Sequence, residues 1–394
     1  MRETMITVEA ALRTIGKTAV KPRRETIPLG LALYRVLAQD VVSKISMPPF
    51  HKSAMDGYAL NSGDASDAFR VIEMIPAGVV PKKSVGRGQC AKIMTGGMVP
   101  RGADRVVRRE LTVEENGIMR LLGRDDSPNI CRRGEDVKPG DIVLLRGSIL
   151  RPQEIGILAS LGAARVDVYV RPAVGLIATG SEIVAPGRRL SAGRIYDSNS
   201  FSLSAQVEGC GAVVKSRRRT ADSVTAIRRA IASALERCDL VLVSGGVSAG
   251  DLDFVPAILR DLGVGLRFER IAVQPGKPTV FGTRRGKVVF GVPGNPVSTF
   301  VVFEVFIKPL LFRMMGHDYQ PMIVRAALTE DFLRKRTERA ALVPVHVHEG
   351  AVALLEYHGS AHIHALGPAN GLLYVPRGLK GYAAGDEVHV RLLS

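Results

Sequence analysis

Residues 241–300 constrain the fold of this chain more than any other stretch. Three short β-branched runs there each end in a Gly-rich loop. Val241-Leu242-Val243 leads into Ser244-Gly245-Gly246-Val247-Ser248-Ala249-Gly250-Asp251-Leu252-Asp253. Ile271-Ala272-Val273 leads into Gln274-Pro275-Gly276-Lys277-Pro278, and Val288-Val289-Phe290-Gly291-Val292 into Pro293-Gly294-Asn295-Pro296-Val297-Ser298. A fourth unit lies upstream, where Val174-Gly175-Leu176-Ile177 opens into Ala178-Thr179-Gly180-Ser181-Glu182. Apolar strands whose carboxyl ends open into glycine loops form the ligand crevice of an open α/β sheet. Such loops present backbone N–H groups to anions.

The surrounding pattern agrees. From 172 to 315 strand-like and helix-like segments alternate: helices over 200–210, 223–237 and 254–262, strands over 213–216 and 239–244. That alternation predicts a parallel, doubly wound sheet. Ahead of it, 50–145 breaks into short alternating runs separated by Gly, Pro and Asp, as in a small, mostly β module. Residues 7–17 predict a helix capped by Thr7, with Ala10, Ala11 and Ile15 on one face; 27–45 predicts a turn and short helix. Beyond Pro321 many short strands predict a compact β barrel or sandwich. The whole is an α/β multidomain chain: a doubly wound α/β domain with an N-terminal mostly-β module and a C-terminal β-barrel-like domain. The boundaries fall at 1–48 with 146–171 (a linking domain), 49–145, 172–318 and 319–394.

Composition narrows the function. The 394 residues exceed a single core and fit about two to four domains. The formal charge is +16, carried by short Arg pairs and triples such as Arg217-Arg218-Arg219. No aromatics interleave with these pairs, so the charge suits an anionic substrate better than nucleic acid. The four cysteines show neither metal spacing nor a disulfide framework, which predicts reduced thiols in the cytoplasm. Five histidines cluster at 346–364 without cysteine partners, a poor pattern for zinc. No apolar run is long enough to span a bilayer.

The loops carry the chemistry. Asn295-Pro296 starts a helix, Pro293-Gly294 lets backbone approach a ligand, and Ser298 would add a hydroxyl in the first turn. An ordinary strand-to-helix connection reads the same way. Lys277, framed by Pro275, Gly276 and Pro278, suits a point-charge contact to an oxyanion. Of Asp251 and Asp253, one caps the following helix and the other contacts metal or substrate; beside phosphate that metal is Mg²⁺. Glu182, beyond Thr179-Gly180, suits a metal or a ribose hydroxyl. Asp56-Gly57, Thr95-Gly96-Gly97 and Gly134-Glu135-Asp136 read as turns when taken singly.

Taken in order, these motifs resemble the molybdopterin molybdenumtransferase family, the MoeA-type proteins that include the E domain of gephyrin. The resemblance runs from about residue 5 to the C-terminus. It rests on Ser53-Ala54-Met55-Asp56-Gly57-Tyr58-Ala59, Thr95-Gly96-Gly97, Gly134-Glu135-Asp136, Thr179-Gly180-Ser181-Glu182 and Tyr196-Asp197-Ser198-Asn199. Ser244-Gly245-Gly246-Val247-Ser248, Pro275-Gly276-Lys277-Pro278 and Pro293-Gly294-Asn295-Pro296-Val297-Ser298 complete it. The resemblance implies Mg²⁺-dependent insertion of molybdate into adenylylated molybdopterin, with release of AMP. It implies catalytic roles for Asp56, Thr95, Asp136, Glu182, Asp253 and Lys277, with Glu182 and Asp253 at the metal. Thr179, Gly180, Ser244, Gly245, Gly246, Pro275, Gly276, Pro293, Gly294, Asn295, Pro296 and Ser298 would bind substrate. An elongated homodimer is implied, with the β module of one subunit facing the α/β cleft of the other. The molybdopterin adenylyltransferase and molybdoenzymes are implied partners.

The chain departs from the family pattern in places. His51-Lys52 stands where Asp-Asn is frequent, Ser181 where Asp is common, and Gln274 where some members carry a second lysine. After residue 320 the pattern is loose; Arg339 is one match and Ser360 the best site candidate. Two other readings fit the α/β segment: a molybdopterin adenylyltransferase, and a gephyrin-like scaffold without catalysis. The β module and the terminal domain weigh against the first. The retained carboxylates and Lys277 weigh against the second.

Overall fold

Leu240, Val241, Leu242 and Val243 are all fully buried, as a strand covered on both faces requires. Leu240 and Leu242 join one apolar cluster with Val174, Leu176 and Phe290, while Val241 and Val243 join another with Ile177 and Val289. Successive side chains thus serve opposite faces of one sheet. The Asn199–Gly209 and Pro296–Val302 helices cover the first face, through Leu203, Val207, Val297 and Val301. The Val224–Arg237 and Val255–Asp261 helices cover the second, through Ile227, Ile231, Val255 and Ile258. These features come from a computed structural model that describes residues 5–247 and 254–393.

The sheet has six strands in the order Val213–Thr220, Ala173–Thr179, Leu240–Ser244, Lys287–Val292, Val280–Arg284, Gly265–Phe268. The first four run parallel. Val280–Arg284 is antiparallel to its neighbours, a departure from the all-parallel expectation. The cause is local: Arg285 and Gly286, at φ +47° and +78°, make a two-residue hairpin that pairs Arg284 with Lys287. A second departure concerns residues 271–273. The Val273–Gln274 strand leaves this sheet and pairs in parallel with Ala340 and Ala341 of the C-terminal sheet.

In that C-terminal sheet five strands close on themselves: Ala340–His348, Ala351–Leu354, Ile323–Leu328, Glu387–Leu392 and Gly371–Val375, which pairs back to Ala340–His348. Val345, Val352, Leu373, Val388 and Val390 fill the interior. Val8–Gly16 is the expected N-terminal helix. Thr7 Oγ1 accepts from the Ala10 amide at 3.2 Å, and Val8, Ala11 and Ile15 are its buried positions, with Ala10 half-buried at their edge.

The chain divides into two compact units. The elements above belong to Met1–Ile27, Tyr34–Ala38 and Asp167–Ser394; the other unit is Pro28–Leu33 with Gln39–Val166. This second unit is built on a mixed six-stranded sheet in the order Arg105–Arg108, Gly57–Leu60, Gln89–Ile93, Ala68–Ile75, Ile118–Leu121, Thr112–Glu115. Tyr58, Phe69 and Met119 fill one face and Ile75, Ile93 and Val106 the other. In place of the short helix expected within 27–45 there is one 3₁₀ turn, Leu29–Leu31. No helix among the described residues is long and apolar enough to cross a membrane. The four cysteines are free, and burial pushes the Cys90 and Cys210 thiols up to about 12.

Candidate active site

Three neighbouring parallel strands end at Thr179, Ser244 and Val292, so their following loops open on one edge of the sheet. Between them lies a cleft of about 710 Å³. Thr179, Gly180 and Glu182 line it from the first loop, Ser244, Gly245 and Gly246 from the second, and Pro293, Gly294, Asn295 and Pro296 from the third. Each of these was predicted from sequence as a site residue. The volume is that of a site for a nucleotide-sized ligand.

The loops fit closely. Gly245 sits at φ +91°, where a Cβ would lie 2.7 Å from both the carbonyl and the hydroxyl oxygen of Thr179. Only glycine satisfies both conditions. Thr179 Oγ1 donates to the Ser244 carbonyl at 3.3 Å, and the Gly245 amide donates to the Val292 carbonyl at 3.0 Å.

Carboxylates gather at this cleft. Among the described residues Glu182 is exposed, lines the cleft, and has no hydrogen-bond partner on its carboxylate. Asp222 Oδ2 accepts from the Ser181 amide at 2.9 Å while Ser181 Oγ accepts from the Asp222 amide at 3.1 Å. The serine that replaces a common aspartate is therefore one half of a reciprocal cap. Asp197, 3% exposed, accepts from the Ser200 amide at 3.0 Å and hydroxyl at 2.5 Å, with Arg219 at 3.9 Å. Asp197 is committed to these partners, and Glu182 is the carboxylate free to meet a cation. No set of three His, Cys, Asp or Glu side chains among the described residues could by itself hold a metal. Mg²⁺ needs only one or two carboxylates when substrate phosphates complete its shell, so the donor set fits that ion. Asp251, Asp253 and Ser248 lie outside the described residues.

Four residues predicted for this site do not line the cleft: Ser298, Pro275, Gly276 and Lys277. Ser298 is 4% exposed and does not line the cleft. The first turn of its helix is also partly capped: the Val297 amide donates to the Ser360 carbonyl at 3.0 Å, and Asn295 Nδ2 to Ser360 Oγ at 2.7 Å. Ser360 thus reaches the site from the C-terminal region. Lys277 is exposed and lines a separate hollow of about 270 Å³ with Met5, Arg336, Glu338 and Arg339. Its loop places Pro278 in the cleft and Lys277 outside it, while Pro275 and Gly276 are buried and line neither hollow. Arg339 holds this loop, donating to the Val273 carbonyl at 3.5 Å and to Gln274 Oε1 at 3.4 Å.

In the second unit Asp56 Oδ1 accepts from the Thr95 amide at 2.7 Å and hydroxyl at 2.8 Å. A Cβ on Gly57 would fall 2.0 Å from the Val107 carbonyl oxygen, so glycine here lets the strand carry Asp56 to the edge. His51 Nδ1 accepts from the Arg133 amide at 3.2 Å. Asp136 is exposed and lines an apolar hollow of about 650 Å³ with Met47, Ile142, Ile157 and Leu161. Asp56 and Thr95 do not line that hollow.

Comparison with known proteins agrees with this architecture. Residues 6–162 match the MoeA N-terminal region (domains I and II), 175–313 a probable molybdopterin-binding domain, and 325–393 the MoeA C-terminal region (domain IV). The molybdopterin molybdenumtransferase of Bacillus subtilis is 34% identical over 408 residues, covering 100% of this chain and 95% of that protein. That of Staphylococcus aureus is 34% identical, covering 98% and 94%. The chain belongs to the MoeA family. Among solved structures, the MoeA molybdopterin biosynthesis protein of Pyrococcus horikoshii is 32% identical, with a TM-score of 0.86 over 99% of this chain and 100% of that one. A molybdenum cofactor biosynthesis protein of Pyrococcus furiosus is 26% identical, with a TM-score of 0.64 over 99% and 100%.

Within the MoeA fold, Asn199 and Asp222 line the cleft without having been assigned a role from sequence. Asn199 stood inside a recognised motif, Tyr196-Asp197-Ser198-Asn199. Asp222 lies just ahead of the Val224–Arg237 helix, where a carboxylate in sequence is indistinguishable from an ordinary cap.

Proposed function

We propose that this chain inserts molybdenum into adenylylated molybdopterin and releases AMP, as a cytoplasmic, homodimeric enzyme of molybdenum cofactor biosynthesis. The observation that carries this reading is the cleft formed by the Thr179-Gly180, Ser244-Gly245-Gly246 and Pro293-Pro296 loops, with Glu182 at its rim. Membership of the MoeA family supports the molybdenum-insertion part of this reading. The glycine loops offer backbone donors to the phosphates of a pterin nucleotide. Water splits its phosphoanhydride into AMP and the pterin phosphate, and donors held in place stabilise the charge on the departing AMP without reorganising. Glu182 and Asp253 are the residues to hold Mg²⁺, which when bound neutralises phosphate charge. No covalent nucleophile is required.

Molybdate, a tetrahedral dianion, suits the hollow at Lys277, where Arg336 and Arg339 add positive charge beside a single carboxylate, Glu338. The anion site read from sequence as Lys277 with Ser298 is therefore recast as Lys277 with Arg339. Asp56, Thr95 and Asp136 are assigned to the active site of a partner subunit, on the strength of the family resemblance. The molybdopterin adenylyltransferase and molybdoenzymes are the partners before and after this step.

Direct binding of adenylylated molybdopterin tests the cleft assignment. Wild-type protein with Mg²⁺ binds it, and Glu182→Ala requires more Mg²⁺ to do so. Equal binding by Glu182→Ala at every Mg²⁺ concentration removes Glu182 from the metal site. No binding by wild-type protein removes the cleft assignment.

A further inference from the structure

Asn199 is the first residue of the Asn199–Gly209 helix and is 9% exposed. Its Nδ2 donates to the Gly294 carbonyl at 2.6 Å and to Ser244 Oγ at 2.9 Å. A carbonyl can only accept, so the amide nitrogen must face Gly294, which fixes the side-chain orientation. Both N–H bonds are then used. Ser244 Oγ, having accepted one hydrogen bond, keeps its own proton for the Pro293 carbonyl at 3.5 Å.

These bonds join two adjacent glycine loops of the cleft, which follow paired parallel strands. The loops touch where a Cβ on Gly294 would lie 3.8 Å from the Gly245 Cα. Asn199 itself is rooted in the core, because Leu203 and Val207 of its helix are buried in the main apolar cluster. A side chain on a helix anchored in the core therefore ties together two glycine-rich loops of the cleft. Sub-ångström placement of backbone donors matters most where they meet phosphate oxygens.

We infer that Asn199 is a positioning residue that fixes the placement of the two glycine loops lining the substrate cleft, through Ser244 and Gly294. The inference rests on the proposed pterin-nucleotide role of that cleft. Aspartate is nearly isosteric but has no donor. It would set a carboxylate against the Gly294 carbonyl and beside an anionic substrate. Alanine removes both bonds without adding charge. The hollow at Lys277 shares no lining residue with the cleft, so molybdate binding is insulated from either change.

The test is steady-state AMP release by the full chain carrying Asn199→Asp or Asn199→Ala, with adenylylated molybdopterin and molybdate varied separately. Expected for Asn199→Asp is a rise of about tenfold or more in KM for the pterin nucleotide, the scale of a lost buried hydrogen bond. The kcat stays within about threefold, and the molybdate midpoint does not move, as expected when ground-state and transition-state binding are lost together. Asn199→Ala shows the same split with a smaller rise, and carries the test if the aspartate variant does not fold. A fall in kcat alone, matching a smaller folded fraction at unchanged KM, makes Asn199 merely structural and overturns the inference. Failure of wild-type protein to saturate with adenylylated molybdopterin overturns the functional reading itself.

Discussion

Asp56 and Thr95 form a closed pair: one carboxylate oxygen, Asp56 Oδ1, takes both the amide and the hydroxyl hydrogen of Thr95. The amide bond is the largest influence holding the Asp56 carboxyl below the usual carboxylate range, the hydroxyl is the second, and the Arg109 charge adds to both. A depressed pKa keeps the group ionised as pH falls until the folded-state value is reached. Removing a donor to the ionised form moves that value up.

Thr95→Val keeps the amide and deletes the hydroxyl. The acid limb of the pH–activity profile should therefore shift to higher pH, while the alkaline limb stays in place. A pH–rate profile of AMP release decides it. An unmoved acid limb shows that ionisation of Asp56 does not control activity.

Gly245→Ala should destabilise the protein by about 2–3 kcal/mol, since a left-handed φ and a collision with Thr179 coincide. Urea unfolding of the variant beside wild type measures this directly. A difference under about 0.5 kcal/mol, the range of an ordinary surface substitution, shows that the loop relaxes freely.

Lys277→Ala should raise the molybdate concentration for half-maximal turnover by roughly 10- to 100-fold, the worth of one charge-assisted contact. Gln274→Lys should lower it, because a further cation replaces the amide that now accepts from Arg339. The readout is a molybdate titration paired with binding of adenylylated molybdopterin. If Lys277→Ala weakens pterin binding and spares the molybdate midpoint, the lysine belongs to the nucleotide site.

Mixing Asp56→Ala with Lys277→Ala protein tests whether active sites are shared between subunits. At a molybdate concentration well below the Lys277→Ala midpoint each variant alone is expected to be nearly inactive, and subunit exchange should restore activity, since one site of each heterodimer keeps both residues. Heterodimers that form and stay inactive show that the two residues do not act across subunits.

The strands and helices of the α/β region were legible because each apolar run is short, continuous and closed by glycine or proline. Leu240–Ser244, closed by Gly245, is the clearest strand, and the Val224–Arg237 helix was legible instead from its amphipathic spacing. The antiparallel course of Val280–Arg284 was hidden in a hairpin of Arg285 and Gly286, a pair with a weaker turn signal than Asn-Gly. The transfer of Val273–Gln274 to the C-terminal sheet was hidden because an apolar run does not specify its pairing partner. That transfer carries Lys277 toward Arg339 and away from the cleft. Asn199 was visible as a motif residue, but its role depends on two loops about 45 and 95 residues away in sequence. Spacing along the chain does not reveal such contacts.

The central claim is that this chain releases AMP as it inserts molybdenum. Its most direct measurement is AMP release from adenylylated molybdopterin with Mg²⁺, with and without molybdate. The expected result is stoichiometric AMP and molybdenum-loaded pterin when molybdate is present, and far slower release when it is absent. AMP release at the same rate without molybdate, or no release under either condition, would contradict it.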